Sequence, residues 1–332
     1  MIHITLRRWP YLQWRQESVS SKTIGWLALA VTIIAGSTYN AFGKVLTGSL
    51  SPVSLFFVSE FLTGFFVIVS FGFMPMIQQC LQLNPKKLLP LLFIGLTNGT
   101  IGPILLFAGL QSSTAVNSSL FTNMESVFLV MLAVIILREP FRREHVLSSL
   151  TIVAGILIIA LRGFTAGLHF YWGDMLLILS SLSFALGGLI FRRSLHDMNP
   201  HIVLFFRAIV GITFFILLTA FMQHHIFEEI RAFPLAMLPV LVGFGFISRF
   251  LNTFSFYEAL DRLPVTTVSL VSNVTIITSI LFAWWMLGEP ILGYHILGGG
   301  LIILGTILLE VIGIHRSPAE LEGHSRTRGP RA

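Results

Sequence analysis

Long apolar runs, separated by short polar turns, occupy the chain from about residue 24 to residue 312. Ten of these runs are close to the roughly 20 residues that a helix needs to cross a bilayer. Backbone amides in lipid need internal partners, and the runs lack the alternation of barrel strands, so they predict transmembrane helices. We place the spans at 24–44, 53–73, 88–110, 115–137, 146–162, 171–191, 201–222, 235–257, 264–287 and 291–312.

Part of this pattern occurs twice. The stretch Leu110 to Ala160 aligns without a gap on Leu260 to Glu310, 150 residues later. Apolar segments can match by composition alone, so the identities at polar and turn positions are the informative ones. These identities are Glu139-Pro140 with Glu289-Pro290, Asn123 with Asn273, Ser119 with Ser269, His145 with His295, and Gly155 with Gly305. The sequence therefore predicts two five-helix repeats, at residues 24–162 and 171–312.

The composition supports a membrane protein. Of the 332 residues, 55% are hydrophobic and only 11% are charged, whereas a soluble domain has about 25% charged residues. A single cysteine, Cys80, excludes an intramolecular disulfide and a thiolate metal cluster. The net charge of +6 would suggest nucleic acid as a partner of a soluble protein. Here the distribution of basic residues among the membrane loops explains it better.

Lysine and arginine positions predict the orientation. With the N-terminus in the cytoplasm, sixteen basic residues fall in inside segments and three, Lys44, Arg162 and Arg231, fall outside. Because each repeat has an odd number of spans, the second repeat enters the membrane inverted, as in many secondary transporters. Residues 1–23 are predicted to form a cytoplasmic basic arm on the membrane surface, or a disordered tail. Residues 313–332 are predicted to be a disordered cytoplasmic tail.

Five-helix units in tandem, each with Leu-x-Glu-Pro before a glycine-bearing final helix, resemble the EamA domain of the drug/metabolite transporter superfamily. The resemblance covers about residues 24–312. It implies ten all-α spans, both termini in the cytoplasm, and a central cavity lined by spans one to four and six to nine. The fifth and tenth spans would be scaffold or contact surface. Members move amino acids, metabolites, drugs or nucleotide sugars, so the resemblance fixes no substrate.

Four ionisable side chains lie deep within predicted spans: Glu60, Glu125, Arg207 and Arg249. Each costs about 2.5–3.5 kcal/mol to insert and is a functional candidate by default. Glu60 and Arg207 occupy nearly matching places in the two repeats, which predicts that they pair. The pair could change during transport, bind a charged substrate, or lock helices together. Glu60 and Glu125, the only deep carboxylates, are the candidate proton carriers.

Several polar residues are further candidates for the cavity lining. Asn123 and Asn273 match between the repeats and would either hydrogen-bond substrate or join helices. Asn98 begins a Gly- and Pro-containing segment that predicts either a broken helix aimed at a ligand or close packing through Gly95 and Gly99. The remaining candidates, each either binding or structural, are Tyr39, Asn252 and Tyr257.

The two Glu-Pro turns are predicted to begin the closing helix of each repeat, with proline in the first turn and the carboxylate favoured by the helix dipole. No phosphate-binding loop, nucleophile elbow or zinc-protease motif is present, so we expect no enzyme and no cofactor. His224-His225 lacks companion ligands, so no metal site is expected.

The favoured function is a secondary active transporter of the cytoplasmic membrane. It would move a small amino acid-like, polar or amphipathic solute by alternating access, in the outward direction, with protons or exchange as the driving force. The alternatives are a lipid-carrier or nucleotide-sugar translocator, a membrane-embedded enzyme, and a structural partner subunit. Expected partners are the substrate, the bilayer and the coupling protons. A homodimer is left open, and nucleic acid is not expected.

Overall fold

The computed structural model describes residues 21–137, 143–161, 172–195, 198–222, 226–263, 268, 271–272 and 274–314. Within these residues the regular elements are helical, and strands are absent. The α-helices are α1 Ser21–Ser37, α2 Tyr39–Leu46, α3 Pro52–Phe71, α4 Phe73–Leu81, α5 Pro85–Leu96, α6 Gly102–Ser112, α7 Ala115–Phe121, α8 Met124–Leu137, α9 Arg143–Ala160, α10 Trp172–Ile190, α11 Pro200–Met222, α12 Ile226–Ala232, α13 Leu238–Gly243, α14 Asn252–Arg262, α15 Val274–Leu287 and α16 Gly293–Ile314.

Six helical stretches in the described residues are long and apolar enough to cross a membrane. They are Ser21–Leu46, Pro52–Phe71, Pro85–Ser112, Trp172–Leu195, Pro200–Ala220 and Leu235–Ala259. Shorter apolar helices run over Val146–Ile159, Val274–Leu287 and Gly293–Leu308. The all-α, membrane-spanning class is confirmed, while the number of ten spans and the inversion of the repeats stay predictions. The predicted N-terminal arm and C-terminal tail lie almost wholly outside the described residues.

Local sequence sets where several helices begin. The Ser51 hydroxyl accepts from the Ser54 amide at 3.3 Å, and Pro52 follows in the first turn of α3. The Asn84 side chain does the same for the Lys86 amide at 3.0 Å, ahead of Pro85 in α5. Side-chain acceptors and a first-turn proline both suit the unpaired amides of a helix N-terminus.

Two predicted spans are divided in the structure. The first breaks at Thr38, whose hydroxyl lies 2.7 Å from the Ala35 carbonyl and 2.6 Å from the Ser248 hydroxyl. The fourth, predicted as continuous over 115–137, breaks between α7 and α8, next to Thr122, whose hydroxyl donates to the Ser118 carbonyl at 2.9 Å. A hydroxyl that hydrogen-bonds to the preceding turn favours bending of a helix, and one lies at each break.

Two wide helical turns occupy corresponding places. The stretch between α5 and α6, Thr97–Ile101, is π-helical, and 150 residues later the π-helical stretch Phe244–Leu251 precedes α14. The helix at Asn98 is therefore widened and not broken. Gly95 and Gly99 both face α11. If Gly95 had a Cβ atom, that atom would lie only 2.5 Å from the Val210 Cβ, and a Cβ atom on Gly99 would collide with the Arg207 side chain. Close packing, the second of the two predicted roles, is what the structure shows.

Helices of the first half pack mainly against helices of the second. α3 and α5 contact α11, α1 contacts α14 and α15, and α6 and α8 contact α10. The main apolar core lies within this arrangement and includes Phe56, Phe107, Phe121 and Phe244, which are all fully buried. α9 and α16 cross each other closely at Gly155 and Gly298, where a Cβ on either glycine would meet the backbone carbonyl of the other.

Candidate functional site

A cavity of about 410 Å³ lies between helices of the two halves. Its walls come from the break in the first predicted span, the two corresponding π-helical stretches, α6, α7, α8, α10, α11, the start of α14, and α15. Asn273 lies outside the described residues. Of the other predicted candidates, those that line the cavity are Tyr39, Asn98, Asn123, Glu125, Arg207, Arg249 and Asn252.

Three charged side chains meet beside this cavity, and we call Glu60, Arg207 and Arg249 the Glu60 triad. Glu60, on α3, is 0% exposed, and its Oε1 accepts a short hydrogen bond from Arg249 Nη2. Arg207 Nε, from α11, lies 3.6 Å from Glu60 Oε2. Arg249 Nη1 also donates to the Tyr39 hydroxyl at 2.8 Å. The triad thus joins three separate helical elements at one wall of the cavity.

The predicted proximity of Glu60 and Arg207 is present, but Glu60 is hydrogen-bonded to Arg249. Arg249 lies in the π-helical stretch Phe244–Leu251, where the extra residue per turn rotates later side chains onto another face. Matching positions between the repeats cannot show such a rotation. The sequence therefore named all three residues but identified the more distant arginine as the partner.

Some polar atoms of the Glu60 triad make no hydrogen bond. In the part of the chain that the structure describes, Glu60 Oε2, Arg207 Nε and Arg249 Nε are buried without a hydrogen bond. Both guanidinium groups belong to residues that line the cavity. One carboxylate is shared by two permanently charged guanidinium groups, so this wall has a surplus positive charge.

Glu125, on α8, is the other deep carboxylate, and it is half-buried on the cavity wall. The Glu125 carboxylate lies next to Gly188 of α10: its Oε1 is 4.0 Å from the position that a Cβ atom would take on this glycine. Among the described residues, its carboxylate has neither a hydrogen bond nor an ion pair. The two deep carboxylates therefore differ: Glu60 is held by arginines, and Glu125 is not.

The predicted amides have mixed roles. With its amide nitrogen turned toward α10, Asn98 donates to the Ser183 and Phe184 carbonyls at 3.3 Å. Asn123 donates to the Ser119 carbonyl of the preceding turn at 3.0 Å, a hydrogen bond within its own predicted span. Tyr257 packs against Phe191 with ring centroids 5.2 Å apart. Asn40, which the candidate set did not include, donates to the Ser119 hydroxyl at 3.0 Å and lines the cavity.

A second polar cluster lies at the N-terminus of α7. Glu289 Oε1 and Oε2 accept from the backbone amides of Ala115 and Val116, each at 2.9 Å. The prediction that the Glu289-Pro290 turn begins its own closing helix is wrong, because α16 begins only at Gly293. The predicted contact between this carboxylate and a helix N-terminus is present, but the helix is α7, which belongs to the other half of the chain. The corresponding turn at Glu139-Pro140 lies outside the described residues, as does His224-His225.

Other side chains extend this cluster. Lys44 Nζ donates to the Leu110 carbonyl at 2.6 Å. The side-chain amide of Asn117 donates from Nδ2 to Asp174 Oδ1 at 3.5 Å. His295 Nδ1 accepts from the Leu292 amide at 3.1 Å, so Nε2 holds the proton and donates to Asn117 Oδ1 at 3.1 Å. The sequence did not reveal these contacts, because every one except that to Leu292 joins distant parts of the chain. We call these side chains the Glu289 network: Lys44, Asn117, Asp174, Glu289 and His295.

The sequence profile of the EamA-like transporter family matches residues 22–161 and again residues 171–311. The chain belongs to the EamA-like transporter family. This membership confirms the resemblance drawn from the repeated Leu-x-Glu-Pro turn, and it establishes a multi-pass membrane transporter.

Relatives of this EamA-like chain include two proteins of Bacillus subtilis (strain 168). The uncharacterized transporter YyaM is 22% identical over 88% of this chain and 94% of its own length. The uncharacterized transporter YetK is 24% identical over 86% of each chain. A crystal structure matches with a TM-score of 0.59 and 16% identity over 90% of this chain and 99% of the other, which shows the fold alone.

Proposed function

We propose that this EamA-like protein is a secondary transporter of the cytoplasmic membrane that moves a small polar or amphipathic solute outward through the central cavity. The observation that carries this proposal is the cavity of about 410 Å³ between the two halves, lined by charged and polar side chains. Charged groups within apolar spans are costly and typically mark a substrate or ion pathway. The names of the relatives support a transporter over an enzyme or a structural subunit.

Alternating access follows from the proposed architecture. Ten spans in two inverted repeats would place the cavity on the pseudo-twofold axis, and rocking of the repeats would open it to either side in turn. The contacts of α3 and α5 with α11, and of α1 with α14, are the surfaces that such a motion would rearrange.

Glu125 is the better proton carrier of the two deep carboxylates. Proton uptake by Glu60 would remove the shared counter-charge of two buried arginines, which is expensive. Proton uptake by Glu125 breaks no ion pair among the described residues and changes the charge of the cavity wall directly. Coupling of solute movement to protons is therefore proposed to run through Glu125.

Purified protein in proteoliposomes tests the transport proposal. Vesicles preloaded with a candidate solute should exchange it for the same solute, labelled, on the outside. Candidates for such counterflow include amino acids, organic acids and nucleotide sugars. Exchange above protein-free vesicles is expected for at least one small solute, and an imposed proton gradient should drive its accumulation. Absence of exchange across the whole set would contradict the proposal.

Topology is tested separately. A reporter fused after residue 230 should read external, and one fused at residue 320 should read cytoplasmic, because the basic residues favour that orientation. The same side for both fusions would contradict the number of spans predicted between them, and reversal of both would contradict the predicted orientation.

A further inference from the structure

We propose that the cavity binds its solute by a carboxylate group, which pairs with the guanidinium groups of Arg207 and Arg249. This inference rests on the proposed transport function and names the chemical class of the solute. The site would accept a singly charged carboxylic acid or the carboxylate of an amino acid, with the uncharged body of the solute in the rest of the cavity.

The Arg207 side chain lies nearly buried beside the cavity. Its side chain is only 13% exposed, yet no hydrogen bond to its guanidinium group is found among the described residues. Its contact with Glu60 is 3.6 Å long, beyond hydrogen-bonding distance. An arginine cannot discharge by losing its proton, and a buried charge without hydrogen bonds is costly. Arg207 therefore has donors available on a cavity wall, where an anionic group can accept from them.

The Glu60 triad carries one more positive than negative charge. Glu60 accepts its hydrogen bond from Arg249, so Arg207 is the arginine without a hydrogen-bonded counter-ion among the described residues. One carboxylate group of a solute would balance the charge of the triad. Arginine also presents a planar fork of donors that fits the two oxygens of a carboxylate.

More highly charged anions fit the cavity less well than a monocarboxylate. Glu125 lines the same cavity, so a second negative charge on the solute would be repelled unless Glu125 is protonated. The remaining wall includes Leu106, Phe184 and Ile276, which suit an uncharged body. A phosphate dianion or a dicarboxylate fits this set poorly, whereas a monocarboxylate fits it.

Matched pairs of acid and amide test the inference directly. Phenylacetate with phenylacetamide, and phenylalanine with phenylalaninamide, differ at the group that would contact the arginines. Binding is measured by calorimetric titration and by the shift in Tm of the detergent-solubilised, full-length protein. We expect each acid to bind more tightly than its amide by about tenfold or more, since only the acid satisfies the charged donors.

Variants identify the binding residue. Arg207→Gln should abolish the preference for the acid, and Arg207→Lys should retain part of it. Arg207→Gln leaves the bond from Arg249 to Glu60 intact, so the variant should fold, which size-exclusion chromatography checks. The matched control is Arg262→Gln, which removes another arginine–glutamate pair, at 2.7 Å from Glu258, outside the cavity. The control should keep the preference.

The outcomes separate the two proposals. Equal binding of acid and amide, no binding of either acid, or an unchanged preference in Arg207→Gln would overturn the carboxylate site. Exchange by proteoliposomes of only those solutes that lack a carboxylate group would also overturn it, while the transport function would stand. Carboxylates that bind at Arg207 but never cross the bilayer would leave the site in place and contradict transport.

Tighter binding of phenylalanine than of phenylacetate, lost in Glu125→Gln, would support the site and show that Glu125 pairs with the ammonium group.

Discussion

The Glu60 triad and the Glu289 network each place a carboxylate between the two halves of the chain, but the two carboxylates use their oxygens differently. Both oxygens of Glu289 accept backbone hydrogen bonds at 2.9 Å. Glu60 has one oxygen bonded to Arg249 and one that is buried without a hydrogen bond. A carboxylate with both oxygens hydrogen-bonded to backbone amides is suited to holding two helices in a fixed arrangement. One with an unused oxygen, beside unused arginine donors, suits a site where partners change.

The largest expected effect comes from removing Glu60. In Glu60→Gln, two buried arginines lose their counter-charge, and breaking a buried pair costs about 3–5 kcal/mol. The free energy of unfolding, measured by denaturant titration in detergent, should fall by that amount.

A double-mutant cycle sharpens this prediction. The coupling energy of Glu60 with Arg249 should exceed that of Glu60 with Arg207, because only Arg249 is hydrogen-bonded to the carboxylate. Purely additive losses for Glu60 and Arg249 would contradict the triad. A larger coupling to Arg207 would mean that the partners are reversed.

A smaller effect is expected at the Glu289 network. Glu289→Gln keeps one acceptor for α7 but loses the charge, so it should lower the stability by about 1–2 kcal/mol, in the range of helix-capping losses. Solute affinity should stay unchanged, as should the stability of the control Gln111→Ala at the exposed end of α6. Normal stability with abolished binding would show that the Glu289 network is part of the solute site.

The smallest effect on stability is expected at Glu125. Since its carboxylate has no ion pair among the described residues, Glu125→Gln should change the free energy of unfolding by less than about 1 kcal/mol. Its effect should appear in transport. A neutral amide cannot take up a proton, so accumulation driven by a proton gradient should be lost while counterflow remains. Retained proton-driven accumulation would remove Glu125 from the coupling mechanism.

The sequence predicted those features that depend on local pattern. Apolar runs identified membrane helices, because their length and composition can be read directly from the residues. Glu60 and Arg207 were brought together by their corresponding positions in the repeats. Near neighbours could be inferred in this way, but hydrogen-bond partners could not.

Long-range geometry accounts for what the sequence did not predict. The π-helical stretch that contains Arg249 packs against α3, and the residue patterns used above do not indicate where a helix widens. The partners of Glu289 are backbone amides, which every residue has, so the sequence contains no sign of the contact with Ala115 and Val116. The hydroxyl bonds of Thr38 and Thr122 could have suggested breaks, but threonine is too common in membrane helices for that signal to be specific.

The crossing of α9 and α16 has a consequence for how motion in this protein can be measured. At Gly155 and Gly298 the two backbones approach so closely that neither position has room for a side chain. Sliding there would drive a neighbouring side chain into a backbone carbonyl, so the two helices are restricted to moving together. They therefore provide an internal coordinate frame: labels on α3, α11 or α14, referenced to a label on α9, would report displacement of the cavity walls free of tumbling of the whole molecule.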